Sequence, residues 1–413
     1  MKKTMHHETV SRLYHQNPRK AIQKAIKRHR RSKDLASEAL DWSRLGTIDL
    51  NHDRYEKACK SYQRALKIMQ QIGDENGEFT VLYALATVDM KRGDYDSARN
   101  KYRGLMERFQ NTATLDDVAS IWRGQGLVDA YQGKYDSARD SFQKALAIHQ
   151  KTGDKANAIS TRDNLALVEF GLNNYEAAYE NFQIALEIAQ NIGDKASESA
   201  ILQKLASVES MLGDNEAAYE NFQRLLKIKQ KTGDRAGEAA AWYGLATVDI
   251  DRRDFEAALE KNQKALDIEQ RLGDKNGEAT TWHNMATIDL DRGEYDAGVE
   301  KLQKSLEINQ EIGAGEGEAM NFAQMGIAAA KMGRDEEGLQ LVALGISILE
   351  SINSSTTRQL EPVADAIISK HDYPREQFDA MHQEVAESYR RDQGKNLIEA
   401  AFGDREEGRG RAL

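Results

Sequence analysis

The sequence predicts an all-α fold, a solenoid of stacked helix pairs, and three observations carry that prediction. Only three prolines occur in 413 residues, Pro18, Pro362 and Pro374, so residues 19–361 contain no ring that would break a helix. Small residues recur every 40 positions, at Gly46, Ala86, Gly126, Ala166, Ala206, Ala246, Ala286 and Gly326, the self-similarity expected of a repeat architecture. Glycine-aspartate pairs at Gly73-Asp74, Gly153-Asp154, Gly193-Asp194, Gly233-Asp234 and Gly273-Asp274 punctuate that spacing. Each supplies a glycine able to take the left-handed turn that ends one helix and an aspartate able to cap the next.

The composition, with 40% apolar and 30% charged residues and a net charge of -10, is that of a soluble folded chain. The single cysteine, Cys59, cannot close an intramolecular disulfide, which fits a reducing compartment and a packed small residue. Met1-Lys2-Lys3 begins like an export signal, but His6, His7, Glu8 and Arg12 stand where its apolar segment would follow. No stretch of about eighteen uncharged apolar residues is present to cross a bilayer, so no membrane span is expected and the expected location is cytoplasmic.

Residues 1–34 form a basic leader. From Pro18 to Asp34 it keeps the register of a second helix, Ala25 aligning with Ala65 and Asp34 with Asp74, as an N-terminal half-repeat or capping helix would. Residues 35–351 hold eight 40-residue units. The first helix of a unit carries an aromatic four residues before the small position, at Trp42, Trp122, Trp242, Trp282 and Phe322. Glu78, Glu198, Glu238 and Glu278 lie in first turns, where negative charge meets the positive end of the helix dipole. Gly93, Gly133 and Gly293 mark the shorter turn within a unit. The second helix then runs from Tyr55, Tyr95, Tyr135, Tyr175, Phe255 or Tyr295 through a second small position (Ala58, Ala98, Ala138, Ala178, Ala218, Ala258, Gly298, Gly338) to a bulky one (Tyr62, Tyr102, Phe142, Phe182, Phe222). Spacings of three and four set these on one apolar stripe. One such pair cannot bury its stripe alone, so units stack and the ends need altered caps. Residues 352–403 are expected as degenerate capping helices, Thr356–Lys370 and Arg375–Gln393 around Asp372-Tyr373-Pro374, then Lys395–Phe402. Residues 404–413 are expected to be a disordered tail.

The residues Trp42-x-x-Leu45-Gly46, Tyr55-x-x-Ala58, Tyr62 and Ala65 resemble the tetratricopeptide repeat (TPR) pattern, over about three quarters of the chain. The long unit and its Gly-Asp turn are similar to the forty-residue variant of kinesin light chains. The short form of the family has proline near the end of the second helix; here Gln70, Gln110, Gln150, Gln190, Gln230, Gln270 and Gln310 replace it, so that helix is expected to continue past the usual stop. The resemblance implies a right-handed superhelix with a concave groove and a non-enzymatic scaffold or adaptor role in protein–protein binding.

No phosphate loop, nucleophile elbow or His-Glu-x-x-His helix is present. The nine histidines are scattered, without the spacing of a metal site, so neither metal nor cofactor is expected. One repeated oddity is an acid at Asp49, Asp89, Asp129, Glu169, Glu209, Asp249 and Asp289. It reads either as an acidic ladder for a basic partner or cation, or, the reading we favour, as local pairing with the residue three further on, His52, Arg92, Gln132, Arg252 or Arg292.

The first-helix face that lines the groove in this family varies from unit to unit. It carries Tyr83, Arg123, Asp163 and Asn164, Gln203 and Lys204, Tyr243, and His283 and Asn284, with Tyr131, Asp251 and Asp291 further along. Tyrosine, arginine, asparagine and histidine free of packing duty are what a peptide-binding groove needs. The family's carboxylate clamp is not reproduced, since Thr47, Thr87, Thr247 and Thr287 stand where its asparagine would be. The expected partner is therefore another protein or a peptide segment held in the groove. The alternative rests on the leader: residues 1–34 hold eleven Lys/Arg against two Asp/Glu, while the rest of the chain is acidic. Such a leader could bind nucleic acid or an anionic surface while the repeats sense a partner, or it could be a helix docked on the acidic body.

Overall fold

The computed structural model describes residues 18–354, 356–371 and 375–403, and among them it contains twenty helices and no strand. Helix α1 (Pro18–Ser32) precedes eight helix pairs: α2 (Leu35–Leu50) with α3 (Tyr55–Ile72), α4 (Glu75–Lys91) with α5 (Tyr95–Arg108), α6 (Leu115–Tyr131) with α7 (Tyr135–Thr152), α8 (Lys155–Gly171) with α9 (Tyr175–Ile192), α10 (Lys195–Met211) with α11 (Asn215–Thr232), α12 (Arg235–Asp251) with α13 (Phe255–Leu272), α14 (Lys275–Asp291) with α15 (Tyr295–Ile312), and α16 (Gly315–Lys331) with α17 (Asp335–Ser351). Helices α18 (Thr357–His371), α19 (Arg375–Asp392) and α20 (Lys395–Phe402) follow. The chain divides into two compact units, up to Ile201 and from Leu202, the division falling within α10. Residues 1–17, Ser355, the Asp372-Tyr373-Pro374 segment and the expected tail at 404–413 lie outside the described residues.

In the first unit the turns form as their chemistry dictates. Gly73, Gly153 and Gly193 take φ of +72°, +72° and +74°, and the aspartates that follow cap the next helix, accepting the backbone N–H of Gly77, Asn157 and Ser197 at 2.9, 3.0 and 3.1 Å. Where the Gly-Asp pair is missing the second helix is cut short: α5 ends at Arg108, before Gln110, and Thr114 with Asp117 starts α6 with a reciprocal capping box. The expected extension past the usual stop therefore fails in this unit, and Phe109 instead packs edge-on against Phe79, centroids 5.5 Å apart. Elsewhere the extension has a use. Gln70 and Gln190 donate to Glu78 and Glu198 in the next unit's first turn, at 2.7 and 3.3 Å, a bond a proline could not make.

The core of this unit is a row of rings set over small residues. Tyr62, Tyr102, Phe142 and Phe182 are buried, and a Cβ added to Gly46 would fall 2.7 Å from the Tyr62 ring. Thr47 and Thr87, in the position of the clamp asparagine, lie 3.0 and 3.1 Å from the hydroxyls of Tyr62 and Tyr102 and so serve the core. The aromatics of the first helix lie under cations from the second helix of the same pair, Arg64 at 4.5 Å over Trp42 and Lys144 at 4.4 Å over Trp122.

The second unit repeats these devices. Gln230 and Gln270 donate to Glu238 and Glu278 at 3.2 and 3.1 Å, and Lys264 and Lys304 cover Trp242 and Trp282 at 4.6 and 4.9 Å. In its last pair the helices meet at two glycines, where a Cβ on Gly326 would fall 2.6 Å from the Gly338 carbonyl oxygen. Leu341, Val342, Leu344 and Leu349 bury α17 on all sides, against Leu360, Ile367, Phe378, Met381 and Val385 of α18 and α19. Tyr389 donates to Glu318, and Arg334 to the carbonyl oxygen of Ala401. Among the described residues no helix is long and apolar enough to cross a membrane.

Candidate partner-binding face

In the first unit, Tyr83 on α4 packs edge-on against Tyr102, centroids 5.3 Å apart. Tyr131, at the end of α6, is 64% exposed and stacked parallel on Tyr95 at 6.1 Å. Arg123 on α6 and Asn164 on α8 are half-buried, and the Nε of Arg123 is buried without a hydrogen-bond partner. The sequence reading passed over Arg162, which stands where other units have an aromatic. Its guanidinium donates to the Asn181 amide oxygen at 3.1 Å, and burial pulls its pKa down. The break in the aromatic series was the signal that marked it.

In the second unit, Gln203, Tyr243 and Asp251 come together in one pocket of about 460 Å³ between α10 and α12, with Ser207, Met211 and Thr247. Gln203 and Asp251 are exposed, and Met211 leaves 58% of its surface open. Asp251 accepts from Ser210 at 2.7 Å. Burial pushes the Tyr243 phenol up, with the Glu269 charge adding to it. The pocket thus pairs an aromatic and a thioether with a carboxamide and a carboxylate.

His283 and Asn284 on α14 lie apart from that pocket, in hydrogen bonds that tie helices together. His283 Nδ1 is 2.7 Å from Asn321 Oδ1, and Asn321 donates to the buried Ser305 hydroxyl at 3.0 Å. Asn284 donates to Asn262 at 3.2 Å. Burial holds the His283 imidazole below its usual pKa, with the Asn321 bond opposing. Lys204 is half-buried on α10, and Asp291 is exposed at the end of α14.

The repeated acid is neither a ladder for a partner nor paired three residues on. Asp49, Asp89, Asp129, Glu169, Glu209, Asp249 and Asp289 are all buried, and their main partners come from second helices, with Arg54 and Asn174, in the turns before α3 and α9, adding contacts to Asp49 and Glu169 at 3.4 and 3.1 Å. Arg19, Arg99 and Arg139, each on the second-type helix that precedes the acid's own pair, serve Asp49, Asp129 and Glu169. Lys101, Lys261 and Lys301, each on the second helix of the same pair, serve Asp89, Asp249 and Asp289. For Glu209 both equivalent positions are uncharged, Tyr179 and Asn221. There Asn221 donates to both carboxylate oxygens, at 2.8 and 3.0 Å, and burial pushes the pKa up. The residues three further on turn elsewhere: His52 to the Ile48 carbonyl, Arg252 to Glu216 and Arg292 to Glu294. Helix-to-helix packing puts the acid inside the pair, where it meets the second helices instead of the residue three further on.

Part of the leader is spent in the same way. Arg19 pairs with Asp49 at 2.8 Å, His29 with Asp41 at 2.9 Å and Arg30 with Glu38 at 2.6 Å, docking α1 on α2, while Lys24, Lys27, Arg28, Arg31 and Lys33 stay exposed. One group of side chains has the make-up of a cation site. Asp116, His149 and Asp154 lie together at the junction of α6, α7 and α8.

Stacked antiparallel helix pairs with a variable, partly open first-helix face define a helical-repeat scaffold for protein–protein interaction. The chain belongs to the tetratricopeptide repeat family, whose model matches residues 38–111, 117–191, 156–231 and 197–271, more than half of its length. Among solved structures it is similar to the apo form of RapI, at 14% identity and a TM-score of 0.65, covering 87% of this chain and 99% of that one. It is also similar to a Rap protein complexed with competence and sporulation factor, at 14% identity and a TM-score of 0.53, covering 89% of this chain and 99% of that one. A signal-transduction ATPase with a tetratricopeptide repeat sensor from Pyrococcus horikoshii shares 13% identity at a TM-score of 0.57, covering 90% of this chain and 55% of that one. At these identities the likeness is one of fold. No curated protein matches the sequence.

Proposed function

We propose that this protein is a non-enzymatic adaptor, cytoplasmic in location, that holds a segment of a partner protein along its first-helix face. The observation that carries the reading is the pocket of Gln203, Tyr243 and Asp251, built from side chains that the repeat core does not use. One neighbour in fold was solved with competence and sporulation factor bound, which is consistent with a bound factor on such a scaffold and leaves the partner's identity here open. The first helices of the first unit offer Tyr83, Arg123, Tyr131 and Asn164 as further contacts, and those of the second unit Lys204 and Asp291. His283 and Asn284 contribute by holding the helices in place.

The test is affinity capture from native lysate with the full chain and with the double variant Gln203→Arg, Asp251→Arg. Both positions are exposed, so helicity by circular dichroism should be unchanged while recovery of a defined partner falls at least tenfold, about 1.4 kcal/mol or more. Equal recovery by the variant would place binding elsewhere on the molecule. A second reading keeps the exposed cations of α1 as a site for nucleic acid, and predicts material that high salt and deletion of residues 1–34 both remove.

A further inference from the structure

We infer that Asp116, His149 and Asp154 form a binding site for one zinc-class divalent cation, clamping the third helix pair to the fourth. Asp116 stands in the first turn of α6, His149 in the last turn of α7, and Asp154 is the residue that caps α8. One carboxylate oxygen from each aspartate and a ring nitrogen of the histidine lie within 4.8 Å of one another. Tetrahedral zinc with bonds of about 2.0–2.1 Å needs donors about 3.3 Å apart, so the group has to close by no more than about 1.5 Å. Asp116 is exposed and free to swing across that gap.

His149 is the independent sign of a ligand. It is only 2% exposed, yet neither ring nitrogen has a hydrogen-bond partner, a condition that is costly inside a folded protein. The histidine at the same repeat position in the leader, His29, has a partner: it lies 2.9 Å from Asp41. The position matching Asp41 here is Thr161, so His149 is left with Asp116 and Asp154. No other unit combines these residues. Where Asp116 stands the others have Ala36, Asn76, Ala156, Ala196, Ala236, Asn276 and Glu316.

The chemistry of the donors selects the ion. One imidazole with two carboxylates is a nitrogen-oxygen set, suited to zinc and its neighbours, whereas calcium and magnesium take oxygen alone. Asp154 is ionised, held below the usual carboxylate range by the Asn157 side-chain amide at 2.6 Å and its backbone N–H at 3.0 Å. Burial pushes the His149 imidazole below its usual pKa, with the Asp154 and Asp116 charges opposing and the Arg123 charge reinforcing. Three protein donors leave a fourth position for water or for a group from a bound partner.

The experiment uses the full chain carrying His6→Ala and His7→Ala, to remove the adjacent histidine pair of the leader, dialysed against a chelator. Calorimetric titration with Zn²⁺ should show one ion per chain and a raised melting temperature, since the ion binds the folded state. Asp116→Asn and His149→Gln should each weaken binding at least tenfold and abolish the shift. Co²⁺ should give the visible bands of a low-coordinate site, lost in Asp116→Asn. If His149→Gln fails to fold, Asp116→Asn decides the matter, because that side chain is exposed. No stoichiometric uptake, or unchanged uptake by Asp116→Asn, would overturn the site.

Discussion

Arg253 holds φ at +60° in the turn between α12 and α13, at the repeat position where Gly93, Gly133, Gly213, Gly293 and Gly333 take +71° to +81°. A side chain in the left-handed region costs about 1–2 kcal/mol, less for asparagine and aspartate. The two other residues forced into this position are of that kind: Asp53 and Asn173 accept from the hydroxyls of Tyr55 and Tyr175 at 2.7 and 3.0 Å. Arg253 is exposed and chemically the odd member, so Arg253→Gly should raise stability by about 0.5–1 kcal/mol after the entropy of the added glycine is counted. Thermal unfolding monitored by circular dichroism checks this, and a lowered melting temperature would contradict it.

Between elements, the buried acids follow a rule of alternates. Six of the seven acids are served either by an arginine on the preceding second-type helix or by a lysine on the second helix of the acid's own pair; Glu209 is held by Asn221 instead. Units with the arginine carry the uncharged Ser61, Ser141 or Asn181 at the lysine position, so only one of the two positions supplies a cation. Asp249 has its lysine, Lys261, whose side chain is 14% exposed; burial depresses that ammonium and the Asp249 bond outweighs it, raising the pKa. Lys261→Ser strands a buried carboxylate and should cost about 3 kcal/mol. Adding Tyr219→Arg rebuilds the pair from the other side and should recover most of that loss in denaturant unfolding. No recovery would show that the two geometries are not interchangeable.

On the scale of the whole molecule, α17 explains why the last helices exist. In other units the second helix shows charge outward, as Arg64, Lys144, Lys264 and Lys304 do; the matching residue here, Leu344, is fully buried in a cluster with Leu360, Phe378 and Met381. Repeat stacks need a polar outer face at each end. A chain ending at Ser351 should therefore keep its helical circular dichroism signal and lose solubility, eluting from size exclusion as aggregate. A monodisperse product would mean that α17 tolerates exposure. Before the first pair, α1 docks on α2 with its cations partly consumed by Asp49, Asp41 and Glu38.

Period, punctuation and fold class were legible in the sequence because they rest on local chemistry: glycine for left-handed turns, aspartate for caps, small residues at a fixed period where helices touch. The first-helix positions vary from unit to unit, and that variation singled them out in the sequence, although Tyr83, His283 and Asn284 turn out to contact neighbouring helices. What the sequence alone could not decide was which residues meet. The buried acids looked like surface partners of a residue three further on, and His283 and Asn284 looked like groove residues, because helical spacing describes one helix and not its neighbours. Asp116, His149 and Asp154 come from three different helices, so no spacing along the chain announces them. Only tertiary packing, which brings side chains from separate helices to one point, assigned the ion pairs, gathered Gln203, Tyr243 and Asp251 into a pocket, and left one buried histidine facing two carboxylates.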